Sequence, residues 1–164
     1  MAKGLVYIYT GDGKGKSSAA LGRALQAAIE GKSAVIIRFL KGNGSKEADF
    51  LRRMEPEIKL FSFEKSDESY EALSEEKKQE EIVNIKNEIN FAKKVLATRE
   101  CDLLILDEVL RLVEKEIVSV EDLKALLECR GDTDIILTGA KAGDDICGLA
   151  DEISRIETFR KEIH

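Results

Sequence analysis

Four short apolar runs, rich in β-branched residues and leucine, most constrain what this chain can fold into: "LVYIYT" at 5–10, "AVIIRFL" at 34–40, "DLLILDE" at 102–108 and "DIILTG" at 134–139. Runs of this length that stay apolar at successive positions belong to strands buried on both faces. A weaker run, "IKLFSF" at 58–63, follows the single proline, Pro56, and "EISRIETF" at 152–159 has the character of a last strand. Between them the spacing turns helical. Residues 17–29 carry Ala20, Ala24, Ala27 and Ala28 on one side, and residues 74–98 place Ile82, Ile85, Ile89, Ala92 and Leu96 at helical intervals. Ser119 with Asp122 resembles a capping box, with Asp in place of the usual Glu, that opens "SVEDLKALLECR", and Gly131 follows as a stop. Doubly buried strands alternating with helices predict an α/β fold with a mainly parallel central sheet and helices on both faces.

A length of 164 residues with 43% hydrophobic content predicts a single domain spanning residues 1–164. The net charge of −6 disfavours a nucleic-acid binder that works through a broad basic face, so any anion site must be local. Cys101, Cys129 and Cys147 form no C-x-x-C pair and are odd in number, which argues for free thiols rather than a disulfide framework or a zinc site. No apolar segment reaches the length of a bilayer span or a signal peptide, so the expectation is a soluble cytoplasmic protein with no membrane partner. The charged stretch at 64–81 reads as a solvated loop and helix start.

The first apolar run leads into "TGDGKGKSSAALGRALQAA" at 10–28, a glycine- and lysine-rich turn followed by a helix. That context is what a phosphate-binding loop requires, because loop amides and a helix N-terminus converge on one anion. Against the pattern G-x-x-x-x-G-K-[ST], Gly15, Lys16 and Ser17 match, while Thr10 stands where the first glycine would be. Gly11 and Gly13 supply the flexibility in shifted positions. The candidate ligands of a polyphosphate are therefore Thr10, Gly11, Asp12, Gly13, Lys14, Gly15, Lys16, Ser17 and Ser18. "DLLILDE" ends in Asp107 and Glu108, a Walker B-like element. Two carboxylates beside a triphosphate call for Mg²⁺ between them, with Ser17, Asp107 and Glu108 as its candidate ligands. Ligands in such folds lie beyond the carboxyl ends of the strands, which brings Thr138 and Gly139 near the site.

These residues resemble the P-loop ATP:corrinoid adenosyltransferases, whose loop reads T-G-[ND]-G-K-G-K-[ST]-[ST]-A-A. "TGDGKGKSSAALG" follows it closely, and the likeness continues through "IIRFLKG" with Glu47 and Leu51, "DLLILDEV", "IILTG" and "LADEISRIE". The resemblance implies a three-layer, RecA-like P-loop NTPase fold. It also implies a reaction in which a reduced Co(I) corrinoid attacks the 5′ carbon of ATP and expels triphosphate, with the α-phosphate lying where related enzymes hold the γ-phosphate. Lys16 and Glu108 would act by electrostatics and positioning, with no protein nucleophile; the single histidine is His164. A homodimer and a flavodoxin-like or other reductase are the partners it implies. The chain departs from the family pattern at Gln26 and Ala140, where arginine is usual, and it has no tryptophan; Phe61, Phe63 and Tyr70 stand in the corrinoid-facing segment. Two other readings of the same loop are an NTPase or small-molecule kinase, with Glu108 at the γ-phosphate, and an ATP-responsive binding protein.

Overall fold

Each adjacent pair of strands in the central sheet runs parallel, as apolar runs joined by helical crossovers require. The computed structural model describes residues 3–40, 46–63 and 69–162. Among them, β1 (Val6–Thr10), β2 (Ala34–Arg38), β3 (Ile58–Phe61), β4 (Leu103–Asp107), β5 (Asp134–Thr138) and β6 (Glu152–Arg155) form one sheet in the order β3-β2-β4-β5-β1-β6. Several strands stop short of their apolar runs for local backbone reasons. Leu40 and Glu108 take φ of 63° and 68°, which no strand accommodates, so β2 and β4 end just before them. Beyond β6, the Ile156 carbonyl accepts from Gly13 N at 2.9 Å, diverting the chain onto the loop that follows β1.

The three helices expected from periodicity are α1 (Lys16–Ile29), α3 (Glu75–Ala97) and α5 (Val120–Glu128). Three more, α2 (Lys46–Arg52), α4 (Val109–Glu114) and α6 (Asp144–Cys147), have only 7, 6 and 4 residues, too few for an amphipathic repeat to register. Alternate strand residues face opposite layers. On one face Ile37, Leu104, Leu106 and Leu137 join the core formed with α3 and α5, which contribute Ile85, Leu96, Leu123 and Leu126. On the other, Ile36, Ile105 and Ile136 meet Ala20 and Ala24 of α1. Alanine at those two positions removes the bulk that would hold the helix away from the sheet, so α1 lies close over the strands. Ala27 and Ala28, and likewise Ile82 of α3, are only half-buried.

The cysteines are free thiols, and burial pushes Cys101 up to about 12, which keeps it protonated at neutral pH. No helix among the described residues is long and apolar enough to cross a membrane. Residues 64–68 of the charged stretch and His164 lie outside the described residues.

The capping box at α5 is formed: Asp122 N donates to Ser119 Oγ at 3.0 Å, and Ser119 N donates to Asp122 Oδ2 at 3.2 Å. The backbone hydrogen bond from Ser119 holds the Asp122 carboxyl below its ordinary range. Its contribution is therefore complete above the unfolded aspartate value of about 3.9 and is lost as pH falls through the lower folded value. Ser119→Ala is expected to reduce stability by about 1 kcal/mol at neutral pH. Urea unfolding of both proteins at neutral pH checks this; the titrating contact is removed by Asp122→Ala, whose deficit should narrow on acidification.

Candidate active site

The loop after β1 delivers the chain into α1 with the helix's first amides left open. Gly15 caps α1 at φ 110° without a side-chain cap, no side chain among the described residues bonds the first amides, and the first turn itself holds no acidic residue. By contrast, α3 opens with a Ser74 cap and Glu75 and Glu76, and α5 with Ser119, Glu121 and Asp122. The free amides and dipole of α1, with Lys16 in the first turn, are suited to an anion from outside the chain.

Lys16 folds back over the loop, its Nζ donating to the carbonyls of Gly11 at 2.8 Å and Gly13 at 3.0 Å. Asp12, Lys14, Gly15 and Ser18 are exposed, Lys16 and Ser17 half-buried, and Thr10, Gly11 and Gly13 buried. The Thr10 hydroxyl is buried with no hydrogen-bond partner among the described residues. Neighbouring segments seat the loop: Gly11 N donates to the Ala140 carbonyl at 3.2 Å, and Ile156 N donates to the Thr10 carbonyl at 2.8 Å.

Beside the loop, Asp107 is buried with both carboxylate oxygens engaged. Oδ1 accepts from Ser17 Oγ at 2.7 Å and from Thr138 Oγ1 at 2.8 Å, while Oδ2 accepts from Arg38 Nε at 3.0 Å. Arg38, the register partner of Asp107 on β2, also forks onto Glu47 of α2 through Nη1 at 3.1 Å and Nη2 at 2.9 Å. Burial depresses the guanidinium pKa, but the Glu47 hydrogen bond and the charges of Asp107 and Glu47 outweigh it, leaving Arg38 above its ordinary value. Because β5 lies between β1 and β4, Thr138 reaches both acidic positions: its hydroxyl donates to Asp107 and accepts from Glu108 N at 2.8 Å. Glu108 itself is half-buried and caps α4.

The structure thus brings Ser17, Asp107 and Thr138 together, as the motifs predict. Sequence reasoning gave no role to Arg38, although an arginine closing a buried apolar strand demands a buried counter-charge, and that demand was the available signal. Gln26 lies away from the loop. With Arg23 and Asp134 it lines a cavity of about 470 Å³ where β4 and β5 begin, the opposite edge of the parallel sheet. Arg23 is committed to β1, donating to Tyr9 Oη at 2.8 Å and stacking 4.7 Å from the Tyr7 ring centre. Phe61 and Phe63 gather on Phe91 of α3, with ring centres 4.8 and 5.4 Å apart. Tyr70 sits instead beneath Lys78 and Lys115, and the adjacent Glu71 pairs with Arg111 and Lys115 of the α4 region.

Two loop glycines can be separated by experiment. Gly11 has φ 113°, and a Cβ there would stand 2.2 Å from the Ile156 carbonyl oxygen; Gly15 has φ 110° with open space around it. Gly15→Ala should cost the left-handed strain alone, about 1–2 kcal/mol. Gly11→Ala should cost more, because backbone must also move. Urea unfolding of the two variants checks this order, and equal losses would contradict it.

The sequence model for the family "ATP:corrinoid adenosyltransferase BtuR/CobO/CobP" matches residues 2–164. The corrinoid adenosyltransferase CobA of Salmonella typhimurium is 28% identical over 162 residues, covering 96% of this chain and 79% of that protein. A corrinoid adenosyltransferase of Escherichia coli K12 gives the same identity and coverage. One from Pseudomonas aeruginosa is 25% identical over 166 residues, covering 96% of this chain and 77% of its own length. Among solved structures, a KaiC-like protein from Pyrococcus horikoshii superposes with a TM-score of 0.61 at 20% identity, covering 99% of this chain and 76% of that one, which shows a shared fold. Matched along nearly its whole length, the chain belongs to the BtuR/CobO/CobP family of ATP:corrinoid adenosyltransferases.

Proposed function

We propose how the site performs the ATP:corrinoid adenosyltransferase activity that the family carries. The triphosphate of ATP lies in the glycine-rich loop, its C5′ faces a reduced corrinoid, and the entire triphosphate is the leaving group. The observation that carries this reading is the N-terminus of α1, which has no side-chain cap and has a lysine in its first turn, with a loop that encloses the lysine's ammonium. During transfer the electron pair of Co(I) forms the bond to C5′, and the C5′–O bond breaks with its electrons passing to the triphosphate. Negative charge grows on the departing oxygen. Lys16, Lys14 and the first amides of α1 stabilise that charge, which requires no protein nucleophile or base. Thr10, Gly11, Asp12, Gly13, Gly15, Ser17 and Ser18 complete the cradle.

Mg²⁺ supplies further positive charge to the phosphate oxygens when bound. The donor set suits it: the Ser17 hydroxyl gives its proton to Asp107 Oδ1, so the lone pairs of Ser17 Oγ remain available for a hard cation. Ser17 would be the direct ligand, with Asp107 behind it through the hydroxyl and Glu108, the adjoining residue, a further candidate oxygen donor. The corrinoid approaches from the side of Phe61 and Phe63. A flavodoxin-like or other reductase provides its electrons, and the chain works as a homodimer, as the family resemblance implies.

Mixing the protein with Mg-ATP and a chemically reduced corrinoid, and identifying both products, tests this function. Intact triphosphate with a light-sensitive alkylcobalt species is the expected outcome. ADP and phosphate without alkylcobalt would contradict it and support an NTPase or kinase. Lys16→Ala should weaken ATP binding about tenfold through loss of a charge-assisted contact, and unchanged affinity in equilibrium titration would contradict the role given to the loop.

A further inference from the structure

Arg38 is unusual in its setting: a guanidinium 6% exposed at the end of a fully buried strand, held between two carboxylates of different exposure. Its Nε meets the buried Asp107, and its two terminal nitrogens meet Glu47, whose side chain is 45% exposed on α2. Asp107 in turn touches Ser17, the first-turn hydroxyl beside the phosphate cradle. One charge therefore stands directly behind the acidic group that faces the triphosphate. We infer that Arg38 is a positioning residue that sets how strongly nucleotide binding depends on the divalent cation, and that Glu47 tunes it from α2. The inference rests on the loop binding a nucleoside triphosphate, as proposed above.

A bare Asp107 carboxylate beside a triphosphate repels it, and only a cation between them relieves the repulsion. With Arg38 on Oδ2, much of that charge is already balanced, so ATP is tolerated even where divalent cation is scarce. Glu47 opposes this effect by drawing the guanidinium charge toward itself, weakly, because its own carboxylate is partly solvated. Arg38 thereby joins α2 to the nucleotide site.

The readout is the ratio of the ATP dissociation constant in EDTA to that in Mg²⁺, measured by titration calorimetry without corrinoid. A residue that only held the fold would change both constants together and leave the ratio fixed. Arg38→Gln should raise the ratio about tenfold, the size of one partly screened charge contact. Arg38→Lys keeps the charge and should stay within about threefold of the parent. Glu47→Gln, on the exposed side of the pair, should shift the ratio the other way by about threefold. If Arg38→Gln does not fold, Glu47→Gln carries the test alone, and an unmoved ratio there overturns the inference. Failure of the unsubstituted chain to bind ATP in either condition would overturn the loop assignment as well, whereas normal ATP binding with fixed ratios in the variants overturns this inference alone.

Discussion

The Asp107 carboxylate is the contact on which the site's architecture depends. It sits at the end of β4 and receives hydrogen bonds from α1 through Ser17, from β5 through Thr138 and from β2 through Arg38. A buried carboxylate is costly unless its lone pairs are matched, and here donors from three separate elements supply the match. Because the contacts are mutual, the position of each element constrains the others. The phosphate loop is seated by this cluster on one side and by Ala140 and Ile156 on the other.

Topology makes such a cluster possible. In a parallel sheet all strand ends of one sense lie along one edge, so residues closing different strands become neighbours. Placing β5 between β1 and β4 opens a gap of one strand between loop and acid, and Thr138 fills it. The alanine face of α1 then matters for chemistry as well as for packing. By lying close to the sheet at Ala20 and Ala24, the helix carries Ser17 to hydrogen-bonding distance of Asp107. Core packing and the phosphate site are set by the same short helix.

Much of this was legible in the residues. The apolar runs identify doubly buried strands because they are too short for helices and lie between turn signals, and the loop announces itself by glycine beside lysine between strand and helix. Asp107 and Ser17 follow from their motifs. The short helices α2, α4 and α6 were hidden because their order comes from tertiary packing and not from a repeat. Arg38 and Glu47 were hidden for another reason. Their pairing depends on the register Arg38↔Asp107 across β2 and β4 and on where α2 returns over the sheet edge, and neither is encoded in local spacing. Gln26 shows the converse: ten positions along α1 from Lys16 carry it about 15 Å, to the far edge of the sheet.

If Asp107 organises the phosphate site, its charge must be felt through the cation that accompanies ATP. Asp107→Asn keeps the shape and one acceptor oxygen while removing the charge, and Arg38 retains Glu47 as a partner. Equilibrium titration of this variant with ATP, in Mg²⁺ and in EDTA, tests the point most directly. The account predicts a folded protein whose ATP affinity gains much less from Mg²⁺ than the parent's does. A variant whose ATP affinity rises with Mg²⁺ as much as that of the parent would contradict it.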